Sequence, residues 1–111
     1  MHVKSLLFGL LCGALSIWHG AAVADDLSEG QETYRFFCSH CHDGGGGHPG
    51  TQMLEAKKGV EKSVIKEQQL PAAYIRTVVR RGLLEMAPFR PTEFDDEALE
   101  KLIKYLRSEK P

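Results

Sequence analysis

The sequence predicts a small all-α domain that needs a staple. Three observations carry this. Leu99, Leu102, Ile103 and Leu106 recur at i, i+3, i+4 and i+7, and no stretch alternates as a strand would. The chain has 111 residues, and removing a 24-residue leader leaves 87, enough for one domain with a modest core. Beyond the leader two cysteines remain, Cys38 and Cys41, so the stabilising element is expected there. Size excludes a two-domain cleft enzyme or a barrel. With 42% hydrophobic and 26% charged residues, disorder is excluded too. A net charge of −1 gives a nucleic-acid binder no electrostatic support.

Residues 1–24 read as a secretory signal peptide, and residues 25–111 as the domain. Lys4 supplies a basic start, Leu6 to Trp18 an apolar stretch, and Ala22-Val23-Ala24 a small-x-small cleavage signal before Asp25. The apolar run is short for a bilayer span and breaks at His19-Gly20, so no membrane span is expected in the mature chain. Cys12 leaves with the leader. Export places the remaining thiols in an oxidising compartment, where a pair is covalently committed or metal-bound.

Helix one is expected from Ser28 to Phe37. Ser28 is an N-cap candidate with Gln31 three residues on. Tyr34 and Phe37 share a face with Gly30 one turn earlier. A glycine inside a helix costs about 1 kcal/mol relative to alanine, so a close helix crossing is its expected use.

Cys38-Ser39-His40-Cys41-His42 follows. Two thiols at this spacing near a helix end can each form a thioether to a haem vinyl group, with His42 as the proximal iron ligand. A thioredoxin-like site would need a strand before its helix, and none is patterned. A zinc site would need a second ligand pair, and only His40, His42 and His48 stand nearby. A plain disulfide leaves His42 unexplained. The motif therefore predicts one covalent haem c.

Residues 43–52 are expected to form a loop. Its four glycines lack the Lys-Ser/Thr and strand–helix context of a phosphate cradle. The Pro49 carbonyl is the candidate acceptor for His42 Nδ1–H, which would orient the ring. Residues 53–69 mix lysines and glutamates as a solvated face does. Helix two is expected over Pro71–Arg81, with proline at its first position, Gly82 just beyond its end, and Ile75, Val78 and Val79 on one face. Arg80 and Arg81 complement its dipole, and Arg80 is a candidate partner for a haem propionate.

The second iron ligand must come from elsewhere. Met86 lies 44 residues past His42, far enough to cross to the opposite face, in a stretch restricted by Pro88 and Pro91. Met86 is the expected ligand. Met53 and His48, both close to His42 in sequence, are the rivals. Helix three runs from Asp95 to Ser108, with Asp95, Asp96 and Glu97 at its positive end.

Taken together, Gly30, Tyr34, the Cys38–His42 motif, Met86, Leu102 and Tyr105 resemble a class I cytochrome c. The stretch Leu70–Phe89, continuing through Phe94–Leu99 to Leu106, is similar to the cytochrome subunit of p-cresol methylhydroxylase-type flavocytochromes. Here Ala87 follows Met86 where that subfamily usually has proline, and the segment from His42 to Leu70 is longer. The resemblance implies a small fold of three to five helices around one haem. It implies an electron-transfer protein in the periplasm and no bond-making catalysis. Its expected donor is a flavoprotein dehydrogenase, and its expected acceptor a downstream cytochrome or oxidase of the respiratory chain. A freely diffusing carrier and an open-site gas-binding or peroxidatic haem protein are the alternatives.

Overall fold

The computed structural model describes residues 18–57 and 62–109, with side chains from residue 24 onward. Residues 1–17, which hold the expected basic start and most of the apolar stretch, lie outside the described residues, as does Lys58. Five α-helices appear among the described residues: α1 (Trp18–Phe37), α2 (Ser39–His42), α3 (Pro49–Ala56), α4 (Ala72–Arg81) and α5 (Asp96–Arg107). A 3-10 turn, Ile65–Glu67, stands between α3 and α4. No strand occurs among them; a single antiparallel bridge joins Leu83 and Met86. No described helix is long and apolar enough to cross a membrane.

The periodic stripe of α5 is the heart of the core. Leu99, Leu102, Ile103 and Leu106 are all buried, and Leu102 completely so. Each such side chain contributes about 1.5–3 kcal/mol when fully buried. Ile75 and Val79 of α4, Tyr34 of α1, Cys38 and Phe94 complete the buried cluster. Asp95 caps α5 by accepting from the Ala98 N–H at 2.9 Å.

Helix α1 crosses α5 at Gly30. A Cβ there would lie 2.1 Å from the Lys101 carbonyl oxygen, so only glycine permits this approach. Tyr34 and Tyr105 pack across the crossing with ring centroids 5.6 Å apart. Lys101 pairs with Glu29 at 2.5 Å and with Glu97 at 3.0 Å, while Lys104 pairs with Asp26. Such partly exposed pairs set register more than stability.

Three expectations are corrected. Ser28 caps nothing: α1 begins ten residues earlier, because only Gly20 interrupts a helix-forming run from Trp18. The loop expected over 43–52 gives way at Pro49, which opens α3. Proline suits a first helical position because its missing N–H is unpaired there anyway. At α4 the same signal lies one residue off, since Pro71 is the N-cap and Ala72 begins the helix.

Lys66, in the 3-10 turn, donates to the Tyr105 carbonyl at 2.6 Å and to Ser108 Oγ at 3.0 Å. The lysine thus closes the carbonyl end of α5, where a cation is favoured. That bond anchors the long segment between α3 and α4.

Candidate functional site

The site begins where α1 ends. Cys38 N–H still donates to the Tyr34 carbonyl at 2.8 Å. Its own φ of −118° then bends the chain. The Cys41 and His42 N–H groups both return to the Cys38 carbonyl, at 3.1 and 3.0 Å. One tight turn therefore carries both thiols and the imidazole. The two cysteines are free and not joined to each other. Cys38 is buried in the core cluster, and burial, with a smaller contribution from Cys41, pushes its thiol up to about 12. Cys41 is exposed.

The His42 ring lies against α3. A Cβ on Gly50 would come within 2.8 Å of its Cε1 and 3.0 Å of its Nδ1. Burial holds its pKa below the ordinary histidine range, which keeps the imidazole neutral and able to ligate. Nδ1 is buried with no hydrogen-bond partner, so Nε2 is the nitrogen left to face a metal. The expected bond from Nδ1 to the Pro49 carbonyl is not made. Pro49 serves instead to open α3, and so delivers Gly50 to the ring.

The candidate second ligands separate in their surroundings. Met86 is partly buried and packs on the same core cluster that contains Cys38. Its backbone is fixed by two hydrogen bonds with Leu83, each 3.0 Å. That turn needs Gly82, whose φ is +74° and whose Cβ would meet the Met86 carbonyl oxygen at 2.5 Å. Met53 projects from α3 and is 60% exposed. His48 precedes α3, and its Nδ1 lies 3.2 Å from the His40 carbonyl, on the His42 side of the chain.

Arg80 has a different task from the one expected. Its guanidinium donates to the carbonyls of Phe89 and Phe94 at 3.2 and 3.1 Å and to Asp96 at 2.8 Å. With Nε–H also directed at Asp96, four of its five N–H bonds are engaged. It therefore clamps the segment that follows Met86, and little remains for a propionate.

Sequence reasoning missed the aromatic wall. Phe37, Phe89 and Phe94 pack mutually, with centroids 4.9 to 5.8 Å apart. They come from two separated segments, so no local period reveals them. It also missed Asp43 and Thr51, which flank the proximal turn. The Asp43 carboxylate accepts from the Tyr34 hydroxyl at 2.8 Å. Burial, and then this bond, raises the Tyr34 pKa and keeps that hydroxyl a donor.

These residues fit a haem c. Two free thiols, a neutral imidazole with one nitrogen available, a thioether on the core and an aromatic wall are the groups such a cofactor requires. Among the described residues no group of three His, Cys, Asp or Glu gathers as a metal cluster would.

Comparison with known proteins agrees. The family profile described as cytochrome c oxidase, cbb3-type, subunit III matches residues 25–106. The chain is also similar to the cytochrome c subunit of 4-cresol dehydrogenase (hydroxylating) from Pseudomonas putida. The two are 35% identical over 104 residues, covering 93% of this chain and 76% of that one. No solved structure gives a significant match.

Proposed function

The chain belongs to the cytochrome c family of haem-binding electron-transfer proteins, and from that premise we propose its place in a redox relay, as an electron carrier whose substrate chemistry takes place on another polypeptide. We read it as an exported, periplasmic mono-haem cytochrome that accepts electrons from a flavoprotein dehydrogenase. It hands them to a downstream cytochrome or oxidase of the respiratory chain. The observation that carries the donor is the likeness to a cytochrome subunit of 4-cresol dehydrogenase along nearly the whole chain. A phenol-oxidising flavoprotein is the matching class of donor.

In this reading Cys38 and Cys41 would hold one haem by thioethers, and His42 and Met86 would be its iron ligands. When bound, the haem supplies reversible one-electron chemistry at its iron. His42, kept neutral by burial, would supply an imidazole nitrogen to the iron. Met86 would supply the second ligand, and its thioether would favour the reduced iron relative to a second imidazole. Phe37, Phe89 and Phe94 keep water away and favour the same state. Pro49 acts by starting α3, and Arg80 acts through its guanidinium by clamping the segment after Met86.

Cleavage near Ala24 suits this assignment, because the ion pairs tying α1 to α5 begin at Asp26, beyond the cut. The test is purification of the haem-loaded chain from its native periplasm. The expected result is a bound flavoprotein whose phenolic substrate reduces the haem at once. A chain that purifies alone, and that no flavoprotein from the same extract reduces, overturns the donor assignment.

A further inference from the structure

We propose that Asp43 is a positioning residue for the iron-bound imidazole, held in place by Tyr34 and Thr51. The inference rests on reading His42 as the iron ligand. A ligating histidine is usually oriented by a hydrogen bond at its other nitrogen. Here Nδ1 of His42 has no partner. The ring must take its orientation from packing and from the backbone that carries it.

Asp43 follows His42 directly and is tied at three atoms to three helices. Its N–H donates to the Ser39 carbonyl at 3.0 Å and closes α2. Its carboxylate accepts from Tyr34 of α1 at 2.8 Å. Its carbonyl accepts from Thr51 Oγ1 of α3 at 2.9 Å. Thr51 is 1% exposed, so its hydroxyl must find a partner inside the protein, and the Asp43 carbonyl is that partner. The backbone of Gly50, next to Thr51, stands close against the ring, since a Cβ there would lie 2.8 Å from its Cε1.

One hydrogen bond thus sets both the backbone leaving His42 and the surface its imidazole rests on. The frame closes through α1, α2 and α3 without a bond to the ring itself. The angle of an axial imidazole about its bond to iron sets the splitting of the iron orbitals. It is therefore read directly by the electron paramagnetic resonance of the low-spin ferric state.

The test uses the haem-loaded protein. Thr51→Val keeps the shape and removes the hydroxyl, while Thr51→Ser keeps the hydroxyl. The expected result is a shift of the low-spin g-values and of the reduction potential in Thr51→Val, with both restored in Thr51→Ser. Tyr34→Phe, which frees the Asp43 carboxylate, is expected to shift the g-values as well and serves if Thr51→Val does not accumulate. Wild-type g-values and potential in both Thr51→Val and Tyr34→Phe, even with lowered stability, would overturn the clamp alone. A wild-type protein without a low-spin signal would overturn the ligand assignment of His42 and Met86, and the clamp with it.

Discussion

Gly30 sits directly under the carbonyl of Lys101, so close that no side chain can stand between α1 and α5. Gly30→Ala must push the helices apart, because its Cβ would lie 2.1 Å from that oxygen and 2.9 Å from the Tyr105 Cβ. The expected loss is about 1–3 kcal/mol, the usual cost of overpacking. Denaturant unfolding of the haem-loaded protein measures it. An unchanged midpoint would mean that the two helices do not meet at this residue.

Met86→Ala should open an axial position. The ferric spectrum is expected to lose its far-red thioether-to-iron band and become high-spin, with rapid carbon monoxide binding after reduction. Met53→Ala should leave all three properties alone, because Met53 is 60% exposed and Met86 is the methionine packed on the core. The reverse pattern would transfer the ligand role to Met53.

Cys38→Ala together with Cys41→Ala should release haem to acid–acetone, whereas the parent protein should retain it. The double variant is also expected to accumulate poorly, since Cys38 lies within the buried cluster that the cofactor would complete. Full stability without attached haem would contradict the idea that the cofactor completes the core.

Arg80→Lys should not preserve the wild-type stability. A lysine is a point charge and cannot reach the carbonyls of Phe89 and Phe94 and the Asp96 carboxylate at once. Leaving either part-buried carbonyl unpaired costs at most about 1–3 kcal/mol. If stability holds while only the reduction potential moves, a propionate contact is the better account.

The imidazole of His42 predicts a direction for acid sensitivity. Burial depresses its folded pKa, so the unfolded chain binds the extra proton first. The contribution is therefore complete above the unfolded value of about 6.5 and is lost as pH falls towards the folded value. Iron ligation should extend the same trend. Unfolding midpoints across the acid range, followed by the Soret band, are expected to fall steadily below neutrality.

The long helices were legible because their signals are local. The stripe from Leu99 to Leu106 shows α5, and Ile75, Val78 and Val79 with Gly82 beyond them show α4. The start of α1 was not legible, since Ser28 resembles a cap but stands inside a run that already favours helix. Helix α3 hid behind four glycines. Its one local signal is the proline at its first position, and the same Pro49 also offers a carbonyl near His42, so the sequence does not say which use prevails.

The sequence by itself determined the chemistry on offer. Cys38, Cys41 and His42 lie within five residues, and covalent spacing alone places them on one turn. It likewise determined that Gly30 was meant for a crossing. Only the tertiary structure decided what surrounds these groups. It set Gly50 against the imidazole, tied Asp43 to Tyr34 and Thr51, turned Arg80 towards Phe89 and Phe94, and packed Met86 rather than Met53 on the core. The reason is physical. Periodicity and spacing report contacts within a few residues along the chain, whereas these contacts depend on how separate segments meet, and that depends on the helix crossings.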